Sequence, residues 1–184
     1  VSDTENGTVT VSPTAPKKDD TVTITTTPDE GYKVGSVTVT DADGKTVAVV
    51  NAGNGKYTFK QPDSKVTIKV TFVWDNPFTD VKSTAWYYNA VKYVYENNLM
   101  AGTGDTTFDP EVSLTRAMTA QILYNLEGQP KVDEEATFAD MNEAPTWSVD
   151  AIAWAQDTGV VAGMGDNEFA PNAKVTREQF AQMV

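Results

Sequence analysis

From Trp86 onward the chain copies itself at an offset of 61 residues, and this limits the folds open to it. Trp86 is answered by Trp147, and Ala101-Gly102-Thr103-Gly104-Asp105 by Ala162-Gly163-Met164-Gly165-Asp166. Phe108-Asp109-Pro110 is answered by Phe169-Ala170-Pro171, and Thr115-Arg116 by Thr176-Arg177. Upstream, Phe78-Thr79-Asp80 pairs with Phe138-Ala139-Asp140, with one residue inserted before the second Trp. A period of this length marks a repeat architecture, in which one unit cannot bury its apolar faces alone and neighbours share a core.

Each copy reads as a pair of helices. Trp86, Ala90, Val91, Val94 and Tyr95 recur at helical spacing, with Ser83 or Thr84 placed to cap them. A second helix opens at Thr115, turns Ala120, Ile122, Leu123 and Leu126 inward, and stops at Gly128-Gln129-Pro130. After an acidic linker, Lys131 to Ala136, the first-helix pattern returns as Trp147, Ala151, Ile152 and Ala155. Thr176 opens the second helix again, and the sequence ends at Val184 within it. The expectation is an all-α module of helical hairpins, 75–130 and 131–184, the second truncated. Phe180, Met183 and Val184 would then leave an apolar face open to self-association.

Residues 1–74 follow a different grammar. Thr21-Val22-Thr23-Ile24-Thr25, Ser36-Val37-Thr38-Val39-Thr40 and Lys65 to Phe72 alternate polar with apolar, the period of a half-buried strand. Turn signals part them at Pro28-Asp29-Glu30-Gly31, Asp41-Ala42-Asp43-Gly44 and Asn51 to Gly55. A small all-β domain of five or six antiparallel strands is expected. The chain opens Val1-Ser2-Asp3 without a methionine, as a mature or excised piece would.

Composition removes several functions. There is no cysteine and no histidine, which excludes disulfides, thiolate chemistry, a Ser-His-Asp triad and His-ligated zinc. A formal net charge of −12 argues against nucleic acid as the partner. No apolar run reaches the roughly 20 residues of a membrane span. Among 26 acidic residues no spacing singles out a catalytic pair, so the chain is expected not to be an enzyme and to need no cofactor or metal. Asp105 and Asp166 read as turn formers rather than calcium ligands. Asp41-Ala42-Asp43-Gly44 lacks the spacing of an EF-hand loop and reads as a hairpin turn.

Arg116 and Arg177 are the only arginines, at matching places in the repeat. With Thr115 and Thr176 as N-caps, each falls in a first helical turn, where a cation is disfavoured unless an anion joins it. Two roles stand open: a guanidinium fork gripping a ligand carboxylate, or an ion pair with Asp80 or Asp140 that ties repeats together. Trp86 and Trp147 can stack on a sugar or plug the core. Gly102 and Gly163 can permit positive φ after a helix, or let the backbone approach a ligand.

The strings Phe78-x-Asp80-Val81, Trp86, Gly102-x-Gly104-Asp105, Phe108-x-Pro110 and Thr115-Arg116-Ala117, with their second copies, resemble the S-layer homology (SLH) repeat over about residues 76–184. The resemblance implies three repeats around a pseudo-threefold axis, with grooves between repeats. It further implies an extracellular place on a bacterial cell wall and non-covalent attachment to a secondary cell-wall polysaccharide, commonly pyruvylated. Arg116, Arg177, Trp86, Trp147, Asp80, Asp140, Gly102 and Gly163 become its expected glycan-binding residues. The glutamate of the family's Thr-Arg-Ala-Glu is replaced by Met118 and Gln179. Gly7-x-Val9-x-Val11, Asp20-x-Val22-x-Ile24, Pro28 to Tyr32, Tyr57-x-Phe59 and Val70-x-Phe72 resemble the internalin B-repeat, which implies a β-sandwich or β-grasp-like spacer or adhesive unit.

Overall fold

The computed structural model describes residues 4–184, so the Val1-Ser2-Asp3 start lies outside the described residues. The chain divides into two units, the first ending at Asn76 and the second running Pro77–Val184.

Among the described residues the first unit has seven strands: β1 (Gly7–Ser12), β2 (Thr21–Pro28), β3 (Tyr32–Thr40), β4 (Thr46–Val47), β5 (Val49–Gly53), β6 (Lys56–Lys60) and β7 (Thr67–Trp74). They form two antiparallel sheets, ordered β1-β2-β6-β5 and β4-β3-β7. Alternation does what the sequence predicts: Val22 and Ile24 of β2 point inward with Ile68, Val70 and Phe72 of β7. Val39 and Phe59 complete one core shared by both sheets. The additional strands are the two-residue β4 and the largely exposed β5, too short or too open to show a period. The Asp41 carboxylate accepts from the Asp43 and Lys45 amides at 3.0 and 2.9 Å, so it is committed to the hairpin turn.

The second unit corrects the expected all-α bundle. Its helices are α1 (Tyr88–Glu96), α2 (Arg116–Leu126), α3 (Val149–Asp157) and α4 (Arg177–Met183), of 9, 11, 9 and 7 residues. Helices this short do not stand alone in water. Irregular chain joins them, with two 3-10 turns, Met141–Glu143 and Thr146–Ser148, and two isolated β-bridges, Gly104 to Thr107 and Thr115 to Lys174. The segments that read as connections are themselves the packed parts. Phe138, Val161 and Phe169, all outside helices, share a core with Ala117, Ala120 and Leu123 of α2 and Ala151, Ile152 and Ala155 of α3. Alanines at the α2–α3 contact let the two backbones approach closely. The core therefore joins the second helix of one repeat to the first helix of the next.

Local signals explain the helix starts. The Thr115 hydroxyl accepts from the Met118 amide, and the Thr176 hydroxyl from the Gln179 amide. The Gln179 Oε1 in turn accepts from the Thr176 amide at 3.0 Å, closing a capping box that Met118 cannot make. Ser83 and Thr84 do not cap α1: the residue before it is Tyr87, with no side-chain cap. Trp86 and Trp147 precede their helices rather than opening them.

Asp109 and Ala170 occupy equivalent places with φ of 54° and 56°. An alanine there carries a steric penalty that glycine avoids. Ala170→Gly is expected to stabilise the second unit by about 0.5–1 kcal/mol, read as a raised urea midpoint at unchanged slope.

Candidate functional site

The two aspartates of the Phe-x-Asp strings fasten each repeat to itself. Asp80 accepts from the Phe108 amide at 3.0 Å and the Asp109 amide at 2.8 Å. Asp140 accepts from Phe169 at 2.8 Å and Ala170 at 2.7 Å. The left-handed residue at 109 or 170 turns two successive N–H groups toward one carboxylate, a small anion nest filled from within the chain. The Phe108 amide bond is the chief cause that lowers the Asp80 pKa. Burial pushes Asp140 up, but the Phe169 and Ala170 amides and the charge of Arg116 outweigh it and leave it lowered.

Gly102 and Gly163 sit where the chain crosses its own loop. A Cβ on Gly102 would lie 2.4 Å from the Thr107 carbonyl and 2.7 Å from the Phe78 ring. On Gly163 it would lie 2.8 Å from the Glu168 carbonyl and 3.1 Å from the Phe138 ring. The close approach is real, and its object is the repeat's own Phe and carbonyl. Only Gly163 has positive φ, 81°.

The two arginines part company. Arg116 is 5% exposed. Its Nε donates to the Phe169 carbonyl at 2.6 Å, and its guanidinium carbon lies 4.8 Å from the centre of the Phe169 ring. Its backbone amide donates to Ala173 at 2.9 Å, the Ala117 amide to Pro171 at 3.0 Å, and Val175 returns a bond to Leu114 at 3.1 Å. Burial lowers the Arg116 pKa while Asp140 opposes the shift. The tie between repeats thus runs through a carbonyl and a ring, with Asp140 acting on Arg116 from beyond ion-pair distance. Sequence reasoning overlooked the Phe169 carbonyl, because a backbone acceptor leaves no mark in side-chain identity. Arg177 is exposed, and among the described residues its guanidinium meets no acceptor.

Trp86 is 93% exposed and Trp147 51% exposed. Trp147 also borders a groove of about 820 Å³ on repeat 1, walled by Tyr95, Leu99, Phe108, Pro110, Met118 and Ile122 among others. Along one wall runs an amide ladder. Gln121 donates to Asn125 at 2.8 Å, Gln129 donates to the same oxygen at 2.9 Å, and Asn125 donates to the Leu99 carbonyl at 3.1 Å. The Gln121 Oε1 is buried without a partner among the described residues. The i, i+4, i+8 spacing of these amides is the signal that could have found the ladder. The structure therefore gathers Asp80, Gly102 and the Phe108 loop in one repeat, and Asp140, Gly163, the Phe169 loop and Arg116 across the repeat boundary. It leaves Trp86 and Arg177 open. Among the described residues no cluster of three acidic side chains could hold a metal. No helix there is long and apolar enough to cross a membrane.

The chain is thus a two-sheet β unit followed by a module of two loop-and-helix repeats. Residues 77–118 and 137–181 match the S-layer homology domain, and residues 1–76 match the divergent InlB B-repeat domain. The chain belongs to the SLH family, carrying two copies of the domain behind one B-repeat, and its place is the cell surface or cell wall. It is 38% identical over 107 residues to an endoglucanase of Bacillus sp. (strain KSM-635), covering 58% of this chain and 11% of that protein. It is 37% identical over 113 residues to the surface-layer 125 kDa protein of Lysinibacillus sphaericus, covering 58% and 9%. It is 33% identical over 107 residues to the S-layer protein EA1 of Bacillus anthracis, covering 58% and 12%. The chain thus spans only a small part of the length of these curated relatives. Cell-surface anchoring is the general role of the module they share.

Arg116→Lys removes the planar fork and the Nε donor, leaving the Phe169 carbonyl buried and unmatched. It is expected to destabilise the second unit by about 2 kcal/mol in urea unfolding, while the first unit is unaffected. Because Asp80 and Asp140 are held below their ordinary pKa, their stabilisation is complete above the unfolded carboxylate range. It is lost as pH falls through the lowered folded values. The second unit should therefore lose stability below about pH 4. The Asp80→Asn, Asp140→Asn double variant should be weaker at neutral pH and show a flatter acid limb by circular dichroism.

Proposed function

We propose that the second unit holds its parent protein non-covalently on an anionic, pyruvylated cell-wall polysaccharide. The carrying observation is the pair of tryptophans at equivalent places in the two repeats, 93% and 51% exposed. An indole left open at such a position offers a large flat face at low entropy cost, suited to the apolar face of a pyranose. Trp86 and Trp147 serve as the sugar platforms. Arg177, the exposed guanidinium, pairs with the pyruvyl carboxylate. Arg116 contributes from inside, by fixing the two repeats to each other. Asp80, Asp140, Gly102 and Gly163 hold the loops that carry these surfaces. The net charge of −12 keeps an acidic polymer off the rest of the surface. The unit acts as a tether, and any catalysis belongs to other parts of a longer protein, an arrangement supported by an endoglucanase and an amylopullulanase among the relatives.

Cosedimentation with purified wall polymer tests this reading. The wild-type chain should bind, and binding should weaken with salt because a single exposed charge pair is screened. Trp86→Ala with Trp147→Ala should weaken it by about tenfold or more, a loss in the range of aromatic anchors elsewhere. Equal binding to polymer stripped of its pyruvyl groups would overturn the carboxylate assignment. Full binding by the double Trp variant would overturn the platform.

A further inference from the structure

We infer that the first unit carries a binding cleft for the carboxylate end of a short peptide, between its loops 13–20 and 61–66. The inference concerns a different unit from the one that attaches to polysaccharide.

Loop 13–20 joins β1 to β2, and loop 61–66 joins β6 to β7. The backbone ties them together. The Asp19 amide donates to the Gln61 carbonyl at 2.8 Å, and the Gln61 amide donates to the Asp20 carbonyl at 2.9 Å. Between the loops lies a cleft of about 600 Å³. Its walls include Val11, Pro13, Pro16 and Val66, and Gln61, Lys18 and Lys65 also line it.

Gln61 is 8% exposed. Its Nε2 donates to the Ser64 carbonyl at 2.7 Å and to the Pro62 carbonyl at 3.3 Å. Two carbonyl acceptors fix which end of the amide carries the hydrogens. The Oε1 is thereby left buried, with no hydrogen-bond partner among the described residues. An unmatched buried acceptor costs stability, and folded chains seldom keep one without a reason. This one is held in place by the bonds of its own amide group, so it is ready for a donor.

The donor that suits it is a neutral N–H, because bringing an ammonium out of water costs far more. The walls favour a peptide over a sugar. Phe59 is the one aromatic residue that lines the cleft, and at 3% exposed it offers no ring face. Valine and proline walls suit small apolar side chains instead. At the rim Lys18 is engaged by Asp63 at 3.4 Å, whereas the exposed Lys65 has no ion pair among the described residues. Lys65 directly follows Ser64, whose carbonyl holds the Gln61 amide. One ligand end therefore serves both groups: the last peptide N–H donates to Gln61 Oε1, and the terminal carboxylate pairs with Lys65. The oxygen is covered in the free chain, so entry requires loop 61–66 to ease outward; its Asp63 and Lys65 are exposed.

Titration of the full chain with N-acetyl-Ala-Ala, followed by backbone amide NMR shifts, tests this. Shifts should concentrate at 17–20 and 61–66, with a dissociation constant of about 1 mM, the range for so small a ligand. Gln61 also braces its loop, so the donor is removed from the ligand instead. The ester analogue, with oxygen in place of the last N–H, should bind about tenfold more weakly. The C-terminal amide analogue, and Lys65→Ala with the parent peptide, should each bind about two- to fivefold more weakly, because an exposed charge pair is worth less than a buried donor. Lys65 is exposed, so the variant should fold, as circular dichroism will verify. Absence of shifts at these loops by about 10 mM peptide would overturn the cleft. So would equal binding of the ester, or binding indifferent to both the terminal amide and Lys65→Ala. N-acetylglucosamine moving the same amides in place of the peptide would overturn the ligand class. The double variant Trp86→Ala, Trp147→Ala should leave this titration unchanged, and Lys65→Ala should leave cosedimentation with wall polymer unchanged. Loss of polymer binding in Lys65→Ala would count against a peptide site.

Discussion

The contact between Arg116 and the Phe169 loop is the interaction on which the second unit depends. A guanidinium taken almost wholly out of water needs donors satisfied and charge balanced. Here one donor meets a carbonyl at 2.6 Å, the cation faces an aromatic ring, and Asp140 supplies negative charge from further off. The same Asp140 grips the Phe169 and Ala170 amides and so sets the direction of the Phe169 carbonyl. One carboxylate thus orders the loop and steadies the cation that docks on it. Lysine carries the charge but lacks the planar fork that can both donate and lie against the ring.

This arrangement explains why short helices suffice. None of the four helices exceeds 11 residues, and α1 buries only Val91. What holds the unit is a set of backbone amides and carbonyls fixed by side chains, with alanines bringing α2 against α3. The two repeats therefore share a plan and differ in environment. In repeat 2 the start of α2 docks on the Phe169 loop and Phe169 is sealed; among the described residues nothing docks on the Phe108 loop of repeat 1, and Phe108 is half open. Identical strings have different exposures because burial depends on what is docked.

Much of this was legible in the residues. Alternation gave the inward faces of β2, β3 and β7, and turn chemistry gave their boundaries. The threonines gave the starts of α2 and α4. The all-α reading failed because periodicity is counted on side chains, whereas Asp80, Asp140, Gly102 and Gly163 work on backbone atoms, whose engagement leaves no spacing pattern. The same blindness hid the acceptor of Arg116. Leu126 fits the helical pattern yet is 61% exposed. Matching residues could reveal the repeat, but only the structure could reveal that Arg116 and Arg177 stand in opposite states.

On the proposed reading, that difference bears on how a chain of net charge −12 could attach to an acidic polymer. If both arginines were open, each would be free for ligand and neither would join the repeats. If both were docked, the unit would present no guanidinium at all. On the proposed reading Arg116, docked, joins the repeats, and Arg177, exposed, is left for an anionic partner. Rigidity matters here because an exposed tryptophan gains from a sugar only what it does not lose in being immobilised. Trp86 and Trp147 each stand just ahead of the first α-helix of their repeat, Trp147 within the Thr146–Ser148 turn, on chain anchored through the Phe-x-Asp carboxylates a few residues earlier. On the proposed reading, Asp80 and Asp140 would serve the glycan site by holding the chain that carries the tryptophans, through the Phe108, Asp109, Phe169 and Ala170 amides.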